Sequence, residues 1–142
     1  MKQEREPPWR MLDHPADVRI EVRGETLEDL FANAAQAFGH IVGERDDIEA
    51  DEEIEVEAQA ETVEDLVVDW LRELLFLHET RQIVPVRARI IELAPKRLRA
   101  TVSVRTLAPE EVPPYEIKAV TYHGLSVDRT DEGYVTRVLF DI

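Results

Sequence analysis

The sequence predicts an α+β fold in which two helices pack on a mostly antiparallel sheet. Three observations carry that prediction. Two segments have apolar residues at helical spacing, each directly after a stretch of alternating polar and apolar residues. Their openings are nearly the same: Glu25-Thr26-Leu27-Glu28-Asp29-Leu30 and Glu61-Thr62-Val63-Glu64-Asp65-Leu66 differ only by Leu for Val, so a strand–helix unit is used twice. Everything after the second helix reads as strands and turns, and a βαβα start with a β-rich remainder is the pattern of an α+β sandwich.

Taken in order, residues 1–10, with the Pro7-Pro8 pair, read as a flexible arm before a single domain spanning 11–142. Val18, Ile20 and Val22 alternate with Arg19, Glu21 and Arg23 as a half-buried strand ending at Gly24. Thr26 caps the first helix, with Asp29 placed as in a capping box. Leu27, Leu30, Phe31, Ala34, Phe38 and Ile41 form its apolar stripe, and Gly43 closes it. Glu44 to Glu53 is an acidic loop. A second strand alternates Ile54, Val56, Ala58 and Ala60 with Glu55, Glu57 and Gln59. Thr62 caps the second helix, whose stripe of Val63, Leu66, Val67, Trp70, Leu71, Leu74 and Leu75 is the strongest amphipathic signal and is expected at the centre of the core. Ile83–Leu93 and Leu98–Arg105 flank Ala94-Pro95-Lys96-Arg97 as a hairpin. After a proline-bearing acidic loop over 106–114, Ile117–Tyr122 and Leu125–Val127 read as extended segments broken at Gly124. Asp131-Glu132-Gly133 then turns into a last strand, Tyr134–Asp141.

Composition narrows the function. With 44% hydrophobic and 34% charged residues the chain is a globular protein rather than a disordered or fibrous one. No apolar run is long enough for a membrane span, and residues 1–10 lack the apolar core of a signal peptide. The absence of cysteine rules out disulfides and thiolate metal sites and fits a cytoplasmic setting. A net charge of −14 repels phosphate backbones, so direct nucleic-acid binding requires a local basic patch. The arginines between Arg81 and Arg105 alternate with apolar residues, as on a solvated sheet face.

The chemistry is expected where the first and last strands would meet. Asp13, His14 and Asp17 lie within five residues, and Asp141 and the main-chain carboxylate of Ile142 end the last strand. Side by side, those strands bring three Asp side chains and a terminal carboxylate to one edge. Oxygen donors without sulfur suit hard cations such as Ca²⁺, Mg²⁺ or Mn²⁺, and clustered carboxylates repel one another unless a cation sits among them.

Five stretches together resemble the archease family: Asp13-His14-Pro15-Ala16-Asp17-Val18, Gly24-Glu25-Thr26-Leu27-Glu28-Asp29-Leu30-Phe31, Val68-Asp69-Trp70-Leu71-Arg72-Glu73-Leu74-Leu75, Glu116-Ile117-Lys118-Ala119-Val120-Thr121-Tyr122-His123 and Phe140-Asp141. They stand in the family's order from residue 11 onward. Pro15 and Arg19 depart from the family's usual Thr and Gly, yet neither change removes a carboxylate. The resemblance implies a non-catalytic cofactor of the RtcB-type RNA ligase of tRNA splicing. Such a cofactor promotes guanylylation of the ligase histidine and multiple turnover. It further implies that the Asp residues near the two termini bind a divalent cation, and that tRNA is met only through the ligase.

Each residue also has a plainer reading. Asp13 and Asp17 suit turns and caps. His14, held extended before Pro15, suits a core imidazole as well as a ligand. His123 is open to both structural and functional roles. His40 and His78 suit helix carbonyl ends. Lys118 is a candidate for a phosphate, nucleotide or acidic partner group, against a surface salt bridge worth under about 1 kcal/mol. Asp69 is expected on a solvated helix flank. The alternative function is a small metal-dependent phosphohydrolase using the same Asp cluster. No phosphate-cradling Gly-rich loop or nucleophile elbow supports it.

Overall fold

Two antiparallel sheets and two helices make up the computed structural model, which describes residues 7–12, 17–43 and 49–142. The strands are β1 (Trp9–Leu12), β2 (Asp17–Gly24), β3 (Glu52–Gln59), β4 (Ile83–Ala94), β5 (Arg97–Thr106), β6 (Ala119–Thr130) and β7 (Gly133–Asp141). The helices are α1 (Leu27–Gly43) and α2 (Val63–Arg81). One sheet has the order β1-β2-β7-β6 and the other β3-β5-β4. The antiparallel character expected from the sequence holds, but it is divided between two sheets. Each strand–helix unit contributes its strand to a different one.

The repeated hexapeptide works as a repeated cap. The Thr26 hydroxyl accepts from the Asp29 N–H at 3.1 Å, and the Thr62 hydroxyl accepts from the Asp65 N–H at the same distance. Both thus satisfy one of the amides that the first helical turn leaves unpaired. At its far end α2 stops on Gln82, which takes a left-handed conformation (φ 56°) and donates its N–H to the His78 carbonyl.

Both helices bury their stripes between the sheets, although α1 is the more enclosed: ten of its 17 residues are buried, against seven of 19 in α2. The centre of the core therefore lies nearer α1 than the sequence suggests. Small residues explain the difference. Ala34, Ala35, Ala37 and Gly39 let α1 approach the sheets closely, and a Cβ at Gly39 would collide with the Pro85 carbonyl of β4. Trp70 of α2 is fully buried and donates its indole N–H to the Phe31 carbonyl at 2.9 Å, tying the helices together.

Two segments differ from the sequence expectation. Trp9 and Arg10, placed in the arm, belong to β1, which pairs with β2 from Trp9↔Val22 to Leu12↔Arg19. Trp9 packs its ring 4.7 Å from that of His40. A strand of four residues beside two prolines is too short to show a period. The break at Gly124 is an excursion within one strand rather than an end. Thr121 pairs with Leu139 and Ser126 with Arg137, so four β6 residues span a single β7 residue, and Gly124 turns with φ 67°.

A carboxylate edge on an open sheet face

β2 and β7 are neighbours, so the first part of the expected site is assembled by the sheet itself. Asp17 pairs with Asp141 on the outermost rung, and Asp141 is in turn opposite Ala119 of β6. Val18 and Phe140 on the next rung face the core, which turns both carboxylates to the opposite, outer face. Asp17 is half-buried and Asp141 exposed. The Lys118 N–H donates to the Asp141 carbonyl at 2.8 Å, fixing the entry of β6 against the end of β7 and bringing the backbone of an exposed lysine to the end of this ladder.

Asp13 and His14 lie outside the described residues. Ile142 follows directly on Asp141 and is 39% exposed. Among the described residues no group of three or more His, Asp or Glu side chains is gathered so as to hold a metal. Two facing carboxylates make a partial set of hard oxygen donors. The chemistry of that set fits a hard divalent cation.

His123 and Tyr122 occupy the β6 excursion and are exposed. Arg72 of α2 braces Tyr122: its guanidinium lies 5.0 Å from the centre of the Tyr122 ring and donates to the Val120 carbonyl at 3.3 Å. The Arg19 guanidinium approaches the same excursion at Gly124. Asp69, expected on a solvated flank, instead accepts from the Gln59 N–H at 2.9 Å and holds the end of β3 to α2. Burial, and then the charge of Asp69, raises the carboxyl pKa of Glu73.

Sequence reasoning missed the densest ionic feature among the described residues. Glu21 is buried on the outer sheet face and accepts from Arg10 Nε at 3.2 Å, Arg23 Nη2 at 3.1 Å and Arg137 Nε at 3.0 Å. Burial alone would raise its pKa, but the bonds from Arg23, Arg10 and Arg137 outweigh that and hold the carboxyl below its ordinary range. The alternation Arg19, Glu21, Arg23 carried the signal, yet it reads equally well as a solvated strand face. A broad groove of about 1190 Å³ opens at the Arg23–Arg137 end of this face, away from Asp17 and Asp141.

Two helices packed between two antiparallel sheets, with Asp17 opposite Asp141 where the β2–β7 ladder ends, define a small α+β protein that carries a carboxylate pair on an open sheet face. The model of the Archease protein family matches residues 9–142, and the chain belongs to that family. It is 35% identical to the protein archease of Archaeoglobus fulgidus over 135 residues, covering 94% of this chain and 98% of the relative. Identity to the protein archease of Methanopyrus kandleri is 32% over 139 residues, covering 95% and 99%. The fold is similar to the solution structure of Methanobacterium thermoautotrophicum protein 1598, with a TM-score of 0.81 at 30% identity over 96% of this chain and 100% of that one. A Thermotoga maritima crystal structure, described as an archease and possible chaperone, matches with a TM-score of 0.64 at 26% identity over the full length of both chains.

Proposed function

We propose that this protein is a non-catalytic activator of an RtcB-type 3′-phosphate RNA ligase. In this reading it presents a divalent cation at its carboxylate edge and promotes guanylylation of the ligase histidine. The observation that supports the reading is the pairing of Asp17 with Asp141 on the end rung of β2 and β7, beside Lys118. Asp13, Asp17, Asp141 and the Ile142 carboxylate would hold the cation, and a bound Ca²⁺, Mg²⁺ or Mn²⁺ would supply positive charge to phosphate oxygens.

The chain's own residues then have separate tasks. The strand pair sets the spacing of Asp17 and Asp141 without any loop between them. The Lys118 backbone bond keeps β6 in register, so this exposed lysine belongs to the same end of the sheet, where its ammonium would meet a phosphate or an acidic group of the ligase. His123 and His14 are the further partner-side candidates. Exposure of the edge suits delivery into another protein's site; an enclosed cleft would be needed to exclude water from chemistry performed here.

The test is RNA ligation by a cognate ligase under single- and multiple-turnover conditions. The native chain should accelerate guanylylation and sustain turnover, and folded Asp17→Ala and Asp141→Ala variants should not. An active ligase indifferent to the native chain would sink the reading. Intrinsic phosphoester hydrolysis lost in Asp17→Ala would replace it with the phosphohydrolase alternative.

A further inference from the structure

On the outer face of the β1-β2-β7-β6 sheet, the rung next to Asp17 and Asp141 carries Arg19 opposite Leu139. The following outward rung is Arg10–Glu21–Arg137, running straight across three strands, and Arg23 lies one outward position further along β2. Outward positions on a strand recur about every 7 Å. The face therefore presents a carboxylate edge, then Arg19, then the Arg10–Arg137 rung, then Arg23, over roughly 20 Å.

Glu21 does more than neutralise this row. One carboxylate faces three guanidinium groups, leaving an excess of two positive charges before Arg19 is added. Each of the three gives Glu21 a single N–H of its five. The remaining donors are accessible, because the side chains of Arg10, Arg23 and Arg137 are 62%, 56% and 41% exposed while Glu21 is 3% exposed. Glu21 thus acts as a buried anchor that orients arginine heads in advance, lowering the entropy lost when they bind an anion. In a chain of net charge −14 such a strip is out of character. It is also bounded: Asp128 of β6 shares Arg23's rung across Val135, and beyond that rung the groove is lined by Glu25, Asp29, Asp131 and Glu132, which together confine the positive charge to the middle of the face.

From this geometry we propose that the arginine strip is a track for a single-stranded phosphodiester backbone, one end of which lies at the carboxylate edge. The choice of RNA as the polyanion rests on the ligase-activator reading. A row of cations at strand spacing fits successive phosphates, and guanidinium forks bind phosphate oxygens with more than one N–H. The protein then contacts the RNA itself in addition to meeting it through the ligase.

The test is direct binding of a labelled short oligouridylate with a 3′-phosphate to the isolated full chain, across a series of salt concentrations. Each strip arginine that meets a phosphate should contribute about 0.7 to the slope of log affinity against log salt. Arg10→Gln and Arg19→Gln should each weaken binding about fivefold at 0.1 M salt and flatten the slope by that amount. Arg97→Gln, the same charge change on the other sheet, should do neither. Absence of binding by the native chain, equal losses in Arg97→Gln, or equal competition by polyglutamate would overturn the proposal, the last in favour of an acidic peptide. Because no ligase is present, the activator reading stands or falls separately, on the ligation assay.

Discussion

Asp17 and Asp141 face each other across the last rung of the β2–β7 ladder, 124 residues apart in sequence and directly paired in register. Two carboxylates so placed repel one another in the absence of a cation.

This relationship should be visible in thermal stability. If a divalent cation binds there, the melting temperature should rise with its concentration. At one hundred times the dissociation constant the gain is about 2.7 kcal/mol, or roughly 5–10 °C for a chain of this length. Asp141→Asn should melt no lower than the native chain in chelator and show no rise with Ca²⁺, Mg²⁺ or Mn²⁺. A native chain indifferent to all three ions would argue against the metal.

Glu21 should make the fold acid-sensitive. Its carboxyl is held below the ordinary Glu value in the folded state by Arg23, Arg10 and Arg137 despite burial. A depressed pKa contributes stability above the unfolded value, about 4.3, and that contribution is lost as pH falls through the folded value. Glu21→Gln should cost on the order of 1–2 kcal/mol at neutral pH, and less below pH 4. Urea titrations at pH 7 and pH 3.5 check the sign; an equal cost at both would remove the electrostatic account.

Glu73 should behave in the opposite way. Burial first, and Asp69 second, raise its pKa, so the ionised form is disfavoured in the fold. Its contribution is greatest at low pH and is lost as pH rises through the folded value. Glu73→Gln, which keeps the shape without the charge, should therefore leave neutral-pH stability unchanged or improve it. A clear loss in a denaturant midpoint at pH 7 would show that the carboxylate makes an attractive contact.

The close approach of α1 to β4 gives a packing test. At Gly39 an added methyl meets the Pro85 carbonyl, a backbone atom that cannot swing aside. Gly39→Ala should destabilise by about 1–3 kcal/mol although alanine favours helix. A neutral result, read by chemical denaturation, would mean that the helix and strand slide apart at little cost.

The sequence by itself determined both helices, their matched threonine caps and the identity of β2, β3, β4, β5 and β7. Helical period, strand alternation and capping are local patterns, set by which faces of a segment can be buried. It also singled out Asp13, Asp17 and Asp141, because carboxylates crowded at strand ends stand out against an ordinary polar face, and Lys118 through the family resemblance. Only the tertiary structure decided that the strands divide into two sheets, that Trp9–Leu12 extends one of them and that α1 is more enclosed than α2. It alone decided that Glu21 lies buried beneath three arginines drawn from β1, β2 and β7. Alternation tells which residues share a face of one strand, whereas the charge on a sheet face depends on which strands lie side by side, and that pairing joins residues more than a hundred positions apart.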